Sequence, residues 1–164
     1  MSENLSKPAR PYRYHEGVIS AVSVGAVFIL IGLISVTTPD LWGKIVNFFN
    51  DFTTTQVPGT GISLPAPAVP AAHAGLYVAA SQFSLGLGIL GILLIAMRLS
   101  ARSPTRRIAQ EVGNLVFWFG VVFLINTFLN DATTSQTWFA FWAGVLVVLG
   151  LSLIARAMVL LAKR

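Results

Sequence analysis

The 164-residue sequence contains no cysteine and only two histidines. Without cysteine there is no disulfide framework, no thiolate metal site and no cysteine nucleophile. His15 and His73 fall on opposite sides of a membrane in the topology derived below, so one chain cannot bind a haem or a metal ion through both of them. We therefore expect no cofactor, since any cofactor would need ligands from another subunit.

Charged residues are scarce as well: they make up 10% of the chain, against 55% hydrophobic residues, and the mean hydropathy is +0.75. This polar surface is too small to cover a water-soluble domain of this length, so we expect the bilayer to be the solvent. The net charge of +5 suggests nucleic acid in a soluble protein, but here the basic residues cluster beside apolar runs. We expect the lipid bilayer and its anionic lipids as partners, and no nucleic acid.

Long apolar runs make up most of the chain. A helix needs roughly 20 apolar residues to cross a hydrocarbon core, and four runs meet that length, at approximately 17–38, 75–97, 112–130 and 137–160. Asp, Glu and Lys are missing from their interiors, which removes the usual basis for a proton-coupled carrier. The sequence predicts an all-α integral membrane protein, with a cytoplasmic tail at 1–16 and a single four-helix domain at 17–164.

The basic residues predict the orientation of these spans. Ten of the eleven Lys and Arg residues fall in three stretches, 1–16, 98–111 and 156–164. Cytoplasmic ends of spans collect Lys and Arg, so both termini and the middle loop are predicted to be cytoplasmic. The plasma membrane is the expected location, and Lys44 is the one basic residue left on the outer side.

Small residues recur at four-residue spacing on the first two spans, which places each set on one helix face. Such stripes let helix backbones approach closely in lipid, and we expect contacts within the chain's own bundle. A dimerisation face or a flexible hinge is the alternative. The two stripes are Gly17, Ala21 and Gly25 on the first span, and Ala80, Ser84 and Gly88 on the second.

The outer segment between the first two spans, residues 39–74, has two parts. Its first part predicts an amphipathic helix from Asp40, as the capping residue, to Phe52, lying in the membrane interface or against a partner. The second part, Thr53 to Ala74, has no charged residue and four prolines, so we expect an extended, polyproline-like loop that contacts the bundle or another subunit. The predicted apolar face of the helix consists of Leu41, Trp42, Ile45, Val46, Phe48, Phe49 and Phe52, and all of these except Val46 are the expected interface residues.

The two halves of the chain also resemble each other. Glu16, Gly25, Val27 and Phe28 match Glu111, Gly120, Val122 and Phe123 at one constant offset, and the second and fourth spans align at another. A tandem duplication of a helical hairpin would produce this pattern. Apolar helices also match by chance, so both explanations stay open.

Few polar side chains are candidates for chemistry. His73 falls on the same predicted side as Asp40, Asp51 and Asp131. A pair with one of these aspartates could polarise a ligand, and the alternative is an interfacial histidine that faces headgroups. Gln82 and Asn126 lie within spans, where they need hydrogen-bond partners or could contact a quinone or a lipid headgroup. On the cytoplasmic side, the basic candidates for anionic lipid are Arg102, Arg106 and Arg107.

These features favour a non-catalytic membrane protein, an accessory or scaffolding subunit that docks through its outer segment onto other membrane subunits. Two alternatives stay open. One is a small channel or carrier for a neutral or lipidic solute, with Gln82 and Asn126 along the path. The other is a quinone- or lipid-handling component of a membrane oxidoreductase. The sequence leaves the oligomeric state open.

The predicted orientation can be tested by cysteine labelling, because the chain has no thiol of its own. Cysteines introduced at Ser103 and at Ser135 should lie on opposite sides of the membrane. We expect only the cysteine at position 135 to react with an impermeant reagent applied from outside. The reverse labelling pattern would overturn the orientation.

Overall fold

The computed structural model describes residues 12–162 and is mostly helical in that range. Four of its helices have the length and apolar character needed to cross a membrane, as the sequence predicts. These are α1 (Tyr12–Thr37), α3 (Ala74–Ser100), α4 (Thr105–Phe128) and α5 (Ser135–Leu161). Between α1 and α3 lie the short helix α2 (Leu41–Asn50), the strands β1 (Phe52–Gln56) and β2 (Ser63–Pro67), and a 3₁₀ turn (Pro70–His73).

The long helices extend past the apolar runs that predicted them. Helix α4 begins at Thr105, directly after Pro104, so its first two turns carry Arg106, Arg107 and Glu111. Polar residues can continue the backbone hydrogen-bond ladder of a helix beyond its hydrophobic part. Helix α5 begins after Thr134, whose side chain accepts a hydrogen bond from the backbone N–H of Thr137 in a capping box.

The four long helices pack in the order α1, α3, α4, α5, with α4 between α3 and α5. Two glycines let α4 and α5 approach closely: a Cβ at Gly120 would overlap Val148, and one at Gly144 would lie 2.7 Å from the Leu124 side chain. Helix α1 packs mainly on α3, where the Leu30 side chain covers Gly86. Much of its apolar surface, like that of α5, is therefore left uncovered by the chain, as expected of helices that face lipid.

Residues 39–73 form a layer across one end of the bundle, which we call the end layer. Its helix α2 is shorter than predicted, because Phe52 belongs to β1 and not to the helix. Asp40 does not cap the helix: its φ is 51° and its side chain makes no capping hydrogen bond. Aspartate tolerates this left-handed conformation, which turns the chain sharply between α1 and α2.

The predicted polyproline-like loop is instead an antiparallel hairpin, so the sequence missed its two strands. β1 pairs with β2 in the register Thr53 to Ala66. Hydrogen bonds just beyond both ends of the ladder, from Val57 N to Ile62 O and from Ala68 N to Asp51 O, fix which pairs are hydrogen-bonded. The alternation then places Pro65 and Pro67 where a strand nitrogen points away from its partner, so neither proline breaks the ladder.

The hairpin turn explains how the chain reverses. Gly59 has φ of 74°, and the Thr60 N–H donates to Val57 O at 3.1 Å. Proline at the second turn position and glycine with positive φ at the third are typical of a type II turn. The sequence Val57-Pro58-Gly59-Thr60 therefore carries the turn signal that accompanies the two strands.

The structure also improves the labelling experiment proposed above. Ser103 is buried, and its backbone N–H donates to Arg98 O at 2.9 Å, so a cysteine there would be poorly accessible from either side. Gln110 is exposed on the adjoining part of α4 and serves as the replacement position for the loop.

The close approach of α4 and α5 predicts the effect of adding one methyl group. Gly120→Ala should destabilise the bundle by about 1–3 kcal/mol, because its Cβ would overlap the branched side chain of Val148. Gly150→Ala is the matched control on α5, since a Cβ there meets nothing within 4 Å. The measurement is the free energy of unfolding in detergent, and equal values for the two variants would contradict the packing.

Candidate functional site

The candidate site lies in the end layer, where one carboxylate connects three elements. Asp51 follows α2, and its Oδ2 accepts hydrogen bonds from the backbone N–H of Val69 at 3.0 Å and from His73 Nε2 at 2.9 Å. An ionised carboxylate can only accept, so Nε2 of His73 carries the proton. The Asp51 backbone oxygen also accepts from Ala68 N at 2.8 Å. One residue thus joins the end of α2, the end of β2 and the 3₁₀ turn.

These hydrogen bonds lower the pKa of Asp51 below the ordinary aspartate value of 3.8. The N–H of Val69 contributes most, followed by the hydrogen bond from His73. Both stabilise the charged carboxylate relative to its protonated form. Asp51 therefore stays ionised, and remains an acceptor for both donors, throughout the neutral range.

Aromatic rings hold α2 on the bundle beside this ion pair. The Phe48 ring lies edge-on to His73 with 5.1 Å between ring centroids, and 5.9 Å from the Trp138 ring of α5. Trp138 and Tyr77 are buried in the hydrophobic core at this end. The hydroxyl of Tyr77 donates to Pro70 O at 2.9 Å, which fixes the 3₁₀ turn to α3. Edge-to-face rings and a satisfied buried hydroxyl make this a well-ordered contact.

The sequence predicted that His73 and Asp51 could form a pair, and the structure brings them together. The geometry gives the pair a structural role, because the His73 Nε2 proton points at Asp51 and the ring packs against Phe48. Within residues 12–162, no three histidine, aspartate or glutamate side chains are grouped so that they could hold a metal ion. The arrangement can position a polar ligand beside His73, in a pocket that Lys44 and Asn47 also line.

The other polar candidates lie apart from His73 and from each other. Asn126 Oδ1 accepts a hydrogen bond from Ser81 Oγ at 3.1 Å and so joins α4 to α3. Gln82 instead faces α1, in an apolar groove that Leu30 and Leu33 also line. The contact of Asn126 is an interhelical hydrogen bond, whereas Gln82 lies on a different face of α3.

The small-residue stripes differ in their surroundings. Ser84 and Gly88 are buried, and a Cβ at Gly88 would lie 3.1 Å from the Phe119 ring of α4. A Cβ at Gly17 or Gly25 would meet no described atom within 4 Å. Ala21 and Ala80 are exposed in this chain. The α1 stripe therefore makes no close contact within the described chain at its two glycines, and its packing role stays a prediction.

Basic residues occupy the opposite end of the bundle. Arg102, Arg106 and Arg107 are exposed, as contact with anionic headgroups requires, and that role stays a prediction. The sequence missed an ion pair between α3 and α4: Arg98 Nη2 lies 3.2 Å from Glu111 Oε1, and both side chains are almost fully buried. Arg98 and Glu111 lie on either side of the short turn between α3 and α4, and this placement could have indicated the ion pair from the sequence.

Two neighbouring cavities open beside α2. The first is an apolar groove of about 240 Å³ between α1, α2 and α3, and the second is a pocket of about 230 Å³ that Lys44, Asn47 and His73 line. Leu76 lines both cavities, so the apolar groove and the polar pocket adjoin at this residue.

Comparisons of the chain with known protein families, with curated proteins and with solved structures find no match.

The lowered pKa of Asp51 predicts how the end layer responds to acid. A carboxyl whose pKa falls on folding stabilises the folded state above its ordinary value of 3.8, and that stabilisation is lost as the pH drops through the lowered value. At pH 7, Asp51→Asn should lower the thermal midpoint reported by tryptophan fluorescence. The difference from the parent protein should shrink as the pH falls below about 4.

The exposed Asp131 at the same end provides the control for this measurement. Asp131→Asn should leave the midpoint nearly unchanged at both pH values. A gap between Asp51→Asn and the parent protein that stays constant down to acidic pH would show that the carboxylate charge is not what holds the end layer.

Proposed function

We propose that this chain is a non-catalytic accessory or scaffolding subunit of a larger membrane complex, and that it docks through the end layer. The observation that carries the proposal is an ordered layer that leaves large apolar side chains uncovered. Extended exposed apolar patches on an ordered surface are typical of protein interaction sites. A partner that binds such a surface pays little conformational entropy, because the layer is already held in place.

Helix α2 has two apolar faces, and only one is directed at the bundle. Phe48 is on the bundle side and contacts Trp138 and Tyr77. On the other side, Trp42 and Phe49 are 69% and 67% exposed, with the exposed Val46 between them. These three residues follow the four- and three-residue spacing of a helix that binds in a groove. We propose this face, Trp42, Val46 and Phe49, as the centre of the docking surface.

The hairpin extends that surface. Ile62 and Val69 are 60% and 56% exposed, and Leu64 is also exposed. The chain carries no charged residue from Thr53 to Ala74. A loop that only faced water would normally carry charge, whereas the core of an interface is poor in charged residues.

The two alternatives receive less support from the geometry. A channel or carrier path lined by both Gln82 and Asn126 would need these side chains on one face, but Asn126 bonds to Ser81 on another face of α3. A quinone-handling role for His73 would need its Nε2 proton for the quinone, and that proton is already donated to Asp51. The docking proposal requires only that Trp42, Val46 and Phe49 be exposed, as they are in this chain.

The proposal predicts that trimming the exposed face of α2 separates the chain from its complex. Central aromatic anchors commonly contribute about 2 kcal/mol or more each, so Trp42→Ala with Phe49→Ala should weaken docking by several hundredfold. The measurement is native gel electrophoresis after mild detergent solubilisation, with subunits identified by mass spectrometry. We expect the parent protein in a large assembly of fixed composition and the double variant as a small species.

A matched control separates docking from general loss of apolar surface. Leu146 and Val147 are similarly exposed on α5, and alanine at both positions should leave the assembly intact. The thermal midpoint of the Trp42 and Phe49 double variant should also stay near that of the parent protein, because neither residue is buried. A parent protein that runs alone as a monodisperse monomer would contradict the proposal.

A further inference from the structure

The two cavities beside α2 adjoin each other and differ in chemistry. The apolar groove is built from three helices, and its lining includes Ile34, Leu41, Ile45, Ala79 and Phe83. The polar pocket has an ammonium, an amide and an imidazole in its wall, from Lys44, Asn47 and His73. An apolar groove that leads to a small set of convergent polar groups is the usual form of a site for an amphiphilic ligand.

Lys44 gives this polar pocket a positive charge. Among the described residues, no carboxylate lies within ion-pair distance of its ammonium group. Its Nζ donates to the backbone oxygen of Pro39, at the turn between α1 and α2. An ammonium carries three N–H donors, so two stay available for a ligand.

The neighbours of Lys44 hold its side chain in the wall of the polar pocket. Its Cε lies 3.1 Å from the position of a Cβ at Gly75, so the alkyl stem crosses α3 where that helix has no side chain. The nearby carboxylate of Asp40 lies against Gly43 on the same turn. Asp40 therefore opposes the binding of an anion at this point, and its removal should strengthen that binding.

We propose that this site binds a phospholipid with an anionic headgroup, with its phosphate at Lys44 and Asn47 and one acyl chain in the groove. Charge decides the class, because Lys44 favours a negative headgroup over a zwitterionic one. His73 Nε2 already donates its proton to Asp51, so the imidazole lines the pocket without donating that proton to the ligand. The phosphate would therefore be bound by Lys44 and Asn47. Binding of this lipid needs no partner protein, although Trp42 lines the groove and also belongs to the docking face.

Arg102, Arg106 and Arg107 are a second predicted site for anionic lipid, so all three should be changed to Gln before the groove is tested. In that background, the purified chain is placed in nanodiscs of phosphatidylcholine with a small fraction of phosphatidylglycerol. Native mass spectrometry then counts the lipids that stay bound. We expect phosphatidylglycerol to be retained in preference to phosphatidylcholine.

Lys44→Gln should lower the retention of phosphatidylglycerol about fivefold, as expected for one basic residue near a headgroup, with phosphatidylcholine unchanged. Lys44→Arg should keep the preference because it keeps the charge. Asp40→Asn should act in the opposite direction and raise the retention of phosphatidylglycerol. These three variants change exposed or half-buried positions of the end layer, so they test the charge without altering the spans.

The acyl chain is tested separately by filling the groove. Ala80 lines the groove, and Ala80→Phe should lower the retention of both lipids. Val78→Phe is the control, since Val78 is exposed on α3 and does not line the groove. Equal retention of the two lipids by the parent protein, or a Lys44→Gln variant that retains phosphatidylglycerol normally, would overturn the proposal. Loss on filling the groove without any effect of Lys44→Gln would also overturn it, in favour of a neutral amphiphile such as a quinone.

Discussion

The end layer depends on the carboxylate of Asp51. Its Oδ2 accepts hydrogen bonds from the N–H of Val69 and from Nε2 of His73. These bonds tie together the two ends of the segment from Asp51 to His73, which are 22 positions apart in the sequence. A two-stranded hairpin is marginally stable in water by itself, and this one has few other contacts with the long helices. The aromatic contact of Phe48 with Trp138 then seats the closed segment on the bundle. Ala66 and Pro67 of β2 are also buried, Ala66 in the hydrophobic core, so this packing and the closure together position the exposed face of α2 and the polar pocket.

The long helices were predictable because the bilayer sets their length and polarity from local composition alone. Which of these helices pack against each other was not predictable, because residue spacing shows which side chains share a face but not which helix covers that face. Gly120 and Gly144 mediate the close approach of α4 to α5, although neither belongs to the predicted stripes. Gly17 and Gly25 do belong to one, yet a Cβ added at either would meet no described atom of another element within 4 Å. Helix pairing is decided by tertiary fit, which a single sequence does not display.

The end layer shows the same limit at shorter range. Its prolines argued against strands, and that argument fails because Pro65 and Pro67 fall where β2 needs no N–H toward β1. Whether a proline is tolerated depends on its position along the ladder, and that position is known only once the two strands have been paired. A pair of His73 with Asp40, Asp51 or Asp131 was predicted from their common predicted side of the membrane, and the fold selects Asp51. The ion pair of Arg98 with Glu111 depends on how tightly α3 turns into α4. Sequence signals such as the Val57–Thr60 turn predict structure best where the contacting residues are close together in the sequence.

The two proposals meet at Trp42, which is exposed on the docking face of α2 and also lines the apolar groove. A lipid in the groove would change the surroundings of this ring, and a partner on the docking face would cover it. If both bind, their free energies are coupled, and each must change the affinity of the other by the same factor. Helix α1 forms one wall of the groove but packs mainly on α3. The position of this wall therefore depends mostly on the contacts of α1 with α3. A bound acyl chain would fill the space between α1 and α2 and stabilise that wall. The docking face itself is already held by the contacts of Asp51 and Phe48, so the coupling acts through the shared Trp42 ring and not through the ordering of that face.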